Sequence, residues 1–256
     1  MIPLVIGPLT NLQVLVTRPA LQAESLCNSI VKLGGEVIRF PVLDVKAREV
    51  KLASANYDLI IFVSSNAVTH GAKLLKQLHH TQRIAVIGNA TAAALKALDV
   101  EAAIVAPPPF NSEALLQHAA LQAPPKLILL VKGVGGRDLL YDTLLTRGAQ
   151  VEVAEVYQRI PAKADETTRS TVQRGLYDGT IDVLTLTSTE IARAMSSMLD
   201  PLDLLRVKGC TVLAGSARIA EELPALGWRG PILISATPDD ESMLNALTRW
   251  HARSRN

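Results

Sequence analysis

Along most of the chain, short apolar runs alternate with longer stretches in which apolar residues return every three or four positions. A run that is apolar throughout reads as a strand buried on both faces, and the three-to-four spacing reads as a helix with one face against a core. The pattern predicts strands at Gln13–Thr17, Glu36–Phe40, Leu59–Val63, Arg83–Ile87, Ala102–Val105, Lys126–Val131, Val151–Tyr157, Asp182–Thr187, Cys210–Ala214 and Ile232–Ser235. Helices fill the intervals. In Leu21–Leu33, the residues Leu26, Ile30 and Leu33 share a face, and Gly34-Gly35 supplies a left-handed stop. Ser112-Glu113 and Asp239-Asp240-Glu241 open helices with caps and acidic first turns, and Gly148 closes the helix after Arg137. Strand and helix in alternation predict parallel sheets with helices on both faces.

The pattern occurs twice. Val14–Leu43 parallels Ile128–Tyr157: an apolar strand, a helix, then Leu33-Gly34-Gly35-Glu36-Val37 against Arg147-Gly148-Ala149-Gln150-Val151. Asp58–Ser65 parallels Asp182–Thr189, and Val86–Ala92 parallels Leu213–Ile219. Two similar domains facing one another create a cleft, and the carboxyl ends of parallel strands are where ligands bind. Pro41–Lys51 and Val156–Asp165 follow strands without the expected helix and read as extended connectors. The repeat permits a tandem arrangement or an interleaved one, in which the chain starts one domain, builds the second and returns. Periodicity does not choose, but two long connectors favour the interleaved form, because a tandem crosses only once.

Composition narrows the function classes. The 256 residues, 48% hydrophobic and 20% charged, suffice for one large or two small cores. A net charge of +2 and 4% aromatics argue against nucleic-acid binding. No apolar run approaches the roughly 20 residues a bilayer requires, and Met1–Asn11 lacks the basic residues of a signal peptide. A soluble cytoplasmic protein is the expectation. Cys27 and Cys210 lack metal-ligand spacing and read as core thiols in a helix and a strand. The histidines (His70, His79, His80, His118, His251) show no ligand pairing, and His79-His80 reads as an exposed helix end. Gly133-Val134-Gly135-Gly136 lacks the Lys-Ser/Thr of a phosphate loop and the full dinucleotide spacing, so it reads as a tight turn. A nucleotide-dependent enzyme is disfavoured on that ground.

The ordered set Thr17-Arg18-Pro19, Ser64-Ser65-Asn66-Ala67-Val68, Gly88-Asn89-Ala90-Thr91-Ala92, Gly135-Gly136-Arg137-Asp138-Leu139, Arg147-Gly148-Ala149, Val156-Tyr157-Gln158-Arg159, Thr187-Ser188 and Ser216-Ala217-Arg218-Ile219-Ala220 resembles uroporphyrinogen-III synthases over nearly the whole chain. The resemblance implies an α/β fold: two similar flavodoxin-like parallel-sheet domains, interleaved in sequence and joined by a two-stranded connector. One domain is expected at 1–40 plus 166–256, the other at 52–155, with 41–51 and 156–165 as connectors. It implies ring closure of hydroxymethylbilane to uroporphyrinogen III with inversion of the last pyrrole, without metal or cofactor. It also implies a monomer, possible handover from hydroxymethylbilane synthase, and no nucleic-acid or membrane partner.

The implied chemistry starts with loss of hydroxyl to an azafulvene, and Tyr157 corresponds to the tyrosine that assists that departure in the family. The substrate carries eight carboxylates. Helix N-termini at Ser65-Asn66, Asn89-Ala90, Gly135-Gly136, Ser188-Thr189 and Ser216-Ala217 offer backbone donors for them. Ser64, Thr91, Ser188 and Ser216 are candidate contacts that also suit helix capping, and Arg18, Arg137 and Arg218 suit charge-assisted bonds or plain surface charge, with Lys132 a weaker candidate. Ser65-Asn66 and Ser216-Ala217-Arg218 stand where some family members carry other residues. The rival reading is a two-domain sensor that closes on an anionic small molecule without turning it over; Tyr157 favours catalysis.

Overall fold

The computed structural model describes residues 7–78 and 83–254. The chain runs β1 (Gln13–Val16), α1 (Ala20–Lys32), β2 (Glu36–Arg39), β3 (Leu43–Ala47), β4 (Leu59–Phe62), α2 (Ser65–Leu75), β5 (Arg83–Val86), α3 (Asn89–Lys96), β6 (Ile104–Val105), α4 (Ser112–Leu116), α5 (Ala119–Gln122), β7 (Leu127–Gly133), α6 (Leu139–Thr146) and β8 (Gln150–Pro161). It continues with α7 (Glu166–Asp178), β9 (Val183–Leu186), α8 (Thr189–Met198), α9 (Pro201–Val207), β10 (Thr211–Ala214), α10 (Ala217–Glu222), a 3-10 turn at Pro224–Leu226, β11 (Ile232–Ile234) and α11 (Asp240–Ser254).

Two compact units result. The first holds the chain up to Asp44 and again from Ile160, and the second holds Val45–Arg159. The first has a five-stranded sheet in the order β11-β10-β9-β1-β2, with parallel neighbours throughout. The second has six strands in the order β3-β8-β7-β4-β5-β6, and from β8 to β6 its neighbours are parallel. Numbered by chain position, the first sheet reads 2-1-3-4-5 from β2. Without β3 the second reads 5-4-1-2-3, the same arrangement entered at its third strand. That permutation explains why the strand at Val14 repeats at Ile128 rather than at Leu59.

Helices cover both faces of each sheet. In the first unit, α1 and α11 pack Leu26, Ile30, Met243 and Leu247 on one face, and α7, α8 and α10 pack Val172, Met195 and Ile219 on the other. In the second, α2 and α3 bring Val68, Leu74 and Leu95 to one face, while α4 and α6 bring Leu115 and Leu144 to the other. The central strands β4 and β9 are buried at every residue; β4 is apolar throughout, and the one polar side chain of β9, Thr185, accepts from the Thr17 amide.

Within the extended stretch Pro41–Lys51, Leu43–Ala47 forms β3 beside β8, with the Arg48 amide donating to the Val156 carbonyl at 2.8 Å. Several other local readings need correction. The α4 cap is Asn111, whose side chain accepts from Ala114 N at 2.8 Å; Ser112 is already inside the helix. Cys210 sits in the turn before β10, whereas Cys27 is buried in α1. The loop Gly135-Gly136 does not start a helix, because both glycines adopt left-handed backbone, at φ 75° and 86°, and α6 begins only at Leu139. His79-His80 lies outside the described residues.

Candidate active site

In a parallel sheet the crevice opens where neighbouring strands send their connections in opposite directions, at the carboxyl ends. In the second unit this happens between β4 and β7, and in the first between β9 and β1. Ser64, Ser65, Asn66, Gly135, Gly136 and Arg137 follow β4 and β7, and Arg18, Ser188 and Thr189 follow β1 and β9. Thr91 follows β5, and Ser216 and Arg218 follow β10, one strand further out.

The serines share one device. Ser64, Ser188 and Ser216 each leave a strand in extended conformation and cap the next helix, their side chains accepting from Ala67 N at 3.1 Å, Ile191 N at 3.2 Å and Ile219 N at 3.4 Å. All three remain part-exposed. Ser65 and Asn66 are half-buried in the first turn of α2, while Thr91 and Thr189 are buried within α3 and α8.

The cations are less available than their positions suggest. Arg18 is 6% exposed, and its guanidinium donates to the Asp240 carboxylate and the Pro238 carbonyl. Arg137 pairs with Glu113 in a two-pronged contact, which holds the Glu113 carboxyl below its usual range and raises the guanidinium. Arg218 pairs with Glu222 one turn on, at 3.0 Å. Lys132, buried at the end of β7, reaches Asp138 at 2.9 Å and closes the glycine loop. The exposed pairs at Arg137 and Arg218 are worth only about 0–1 kcal/mol, so little energy holds either guanidinium to its carboxylate. Arg18 has no such freedom.

Tyr157 is placed by an irregularity. Beside β7, Lys132 registers with Glu155 but Gly133 registers with Tyr157, so Val156 is an extra residue, a β-bulge. In a regular strand side chains alternate faces; here Val156 and Tyr157 both join the α2 side, with Phe62 and Val68. The ring lies over Gly133, where a β-carbon would sit 2.5 Å from ring atoms Cε2 and Cζ. Tyr157 therefore does not lie at the end of its connector strand, as the sequence pattern suggests, but inside β8, opposite the last residue of β7.

The phenol oxygen lies 3.3 Å from Ser64 Oγ, and Arg159 donates to it at 3.4 Å. The Arg159 guanidinium is also 5.6 Å from the ring centre, and the His70 ring packs at 5.7 Å, tilted by 38°. Neither partner stands out as a site residue in the sequence. Arg159 was legible in principle, since it follows Tyr157 by two residues and shares its face of the strand. His70 carried no signal, because only the packing of α2 on β8 brings it there. A concavity of about 900 Å³ beside His70 is lined also by Arg48, Lys51 and Lys73, cations that no sequence motif marks. Among the described residues there is no cluster suited to a metal ion, and no helix is long and apolar enough to cross a membrane.

The sequence model for uroporphyrinogen-III synthase HemD matches residues 24–245. The chain belongs to the uroporphyrinogen-III synthase family. It is 28% identical to the uroporphyrinogen-III synthase of Escherichia coli (strain K12) over 255 residues, covering 92% of this chain and 100% of that one. The Salmonella typhimurium uroporphyrinogen-III synthase is 31% identical over 263 residues, with the same two coverages. Among solved structures, uroporphyrinogen-III synthetase from Helicobacter pylori 26695 superposes with a TM-score of 0.63 at 15% identity, covering 96% of this chain and 100% of that one. A mutant uroporphyrinogen III synthase from Thermus thermophilus superposes at 0.62 with 20% identity, covering 95% and 99%. These two likenesses establish the shared fold.

Proposed function

We propose that this chain closes hydroxymethylbilane into uroporphyrinogen III with inversion of the last ring. The observation that carries the reading is the family match across 24–245, which spans the strand-end loops of both units. The substrate's hydroxyl leaves to give an azafulvene, the far pyrrole attacks through its substituted α-carbon, and the resulting spiro intermediate fragments and recloses with the ring turned over.

The bilane closes unaided to the uninverted isomer, so the protein's task is steering. A tenfold preference between routes requires only about 1.4 kcal/mol of differential transition-state stabilisation. The part-exposed hydroxyls of Ser188 and Ser216 and the exchangeable Arg137 and Arg218 suit that task, since they orient carboxylates without strong acid–base chemistry. Tyr157 is the proton source for hydroxyl departure: its phenol is the titratable group joined by hydrogen bond to a strand-end serine at the β4/β7 crevice. Arg18 belongs to the scaffold in this reading.

The two units are the two domains of this assignment, with the chain passing between them in β3 and β8; the contact division at Asp44/Val45 and Arg159/Ile160 supports it. A cytoplasmic monomer receiving its substrate from hydroxymethylbilane synthase is the companion proposal. It rests on the lability of the bilane. The test is to generate hydroxymethylbilane enzymatically in situ, add the protein and separate the type I and type III products. Type III is expected; type I alone, at the spontaneous rate, removes the reading and leaves the non-catalytic binding module.

A further inference from the structure

We infer that Ser64 Oγ, not the Tyr157 phenol, is the group that meets the departing hydroxyl, and that Tyr157 acts through it. This rests on the ring-closure reading above and assigns its first proton transfer.

The hydrogen bonds have only one self-consistent direction. Arg159 and the Ala67 amide are donors only, so the phenol oxygen accepts from Arg159 and Ser64 Oγ accepts from Ala67. The remaining 3.3 Å contact joins the two hydroxyls. If Ser64 donated, the Tyr157 proton would need another acceptor, and Tyr157 is only 3% exposed with no acceptor other than Ser64 among the described residues. A buried O–H without an acceptor is rare because it loses its hydrogen bond to water without replacement. Tyr157 therefore donates to Ser64. Both acceptor sites of Oγ are then filled, and the Ser64 hydrogen is directed outward from a part-exposed residue at the β4/β7 crevice. The result is a directed chain, Arg159 to Tyr157 to Ser64, ending at the surface.

The phenol has no easy route outward. Its ring rests on Gly133 with no room for a methyl group between them, and Arg159 and His70 pack against it at 5.6 Å and 5.7 Å. Direct contact between substrate and phenol requires breaking that packing. Contact with Ser64 requires none.

The step balances. The carbon–oxygen bond of the hydroxymethyl group breaks with push from its pyrrole, and the oxygen takes the Ser64 proton and leaves as water. Ser64 takes the Tyr157 proton, leaving a phenolate beside the Arg159 guanidinium. The hydrogen that the far pyrrole loses on final closure returns a proton to the phenolate through Ser64, so the net change is loss of one water.

The test uses the intact protein with bilane generated in situ. Glycine caps a helix nearly as well as serine, so Ser64→Gly removes the hydroxyl with little effect on folding, which a thermal melt checks. The expected result is a fall in kcat of about 10²-fold, within the usual range for a lost general acid, with KM little changed. Tyr157→Phe is expected to match it, the double variant to be no slower than either single one, and Ser64→Thr to restore most of the rate. A Ser64→Gly enzyme that turns over like the wild type, multiplicative losses in the double variant, or failure of threonine to rescue each overturns the inference. If wild type makes only type I product, the ring-closure reading itself has failed, which is a separate outcome.

Discussion

Replacing Gly133 with alanine adds one methyl group at the point where the whole placement of Tyr157 is decided. The new β-carbon would lie 2.5 Å from ring atoms Cε2 and Cζ and 2.9 Å from the phenol oxygen. Carbon atoms in ordinary contact keep roughly 3.5–4.0 Å, so the ring must retreat by about 1 Å. The phenol–Ser64 separation starts at 3.3 Å, and a displacement of that size takes it beyond hydrogen-bonding distance. Overpacking of this kind costs about 1–3 kcal/mol, and each kcal/mol lowers the melting temperature by roughly 2–4 °C in a chain of this size class. A reacting geometry misplaced by about 1 Å loses on the order of 10²-fold in rate. Type III formation from bilane made in situ, with a thermal melt on the same sample, reads both effects. In a Tyr157→Ala background the methyl meets no ring, so Gly133→Ala should cost no further stability and no further rate. If Gly133→Ala melts and turns over like the wild type, the bulge and its glycine do not hold the phenol, and the positional reasoning is wrong.

Three further outcomes are expected. Asn111→Ala should destabilise by about 1 kcal/mol in urea unfolding, as loss of a helix cap does, while Ser112→Ala should change little, because Asn111 accepts from Ala114 N. Asp240→Asn should destabilise by about 3 kcal/mol, the low end for breaking a buried pair, because Arg18 is 6% exposed and Asp240 only partly so; a loss of unfolding free energy in urea of less than half that refutes it. Burial, helped by its hydrogen bond to Glu152, pushes the Tyr57 hydroxyl up to about 12 from an ordinary 10. The folded state thus favours the neutral phenol, and its stabilisation is complete below pH 10 and lost as pH rises towards 12. Unfolding midpoints followed through that window should fall for the wild type and fall less for Tyr57→Phe.

Local pattern settled much of this protein. A fully apolar run such as Leu59–Phe62, or one broken only by a threonine such as Val183–Leu186, has few alternatives to a central strand, since its apolar side chains need burial on both faces. Serines directly after such runs mark caps for the same local reason, as Ser64 and Ser188 show. The repeat carried the correspondence between β1 and β7 and between β9 and β4. Charge availability was not legible: Arg18 and Arg218 read alike in sequence, yet one is buried on Asp240 and the other exposed beside Glu222. Nor was the bulge, because an extra residue in one strand exists only relative to its neighbour, and Val156 is extra only because Gly133 lies opposite Tyr157. Sequence therefore determined where donors stand along the chain. Tertiary structure alone decided which of them face one another, because strand register and burial depend on residues far away in the chain.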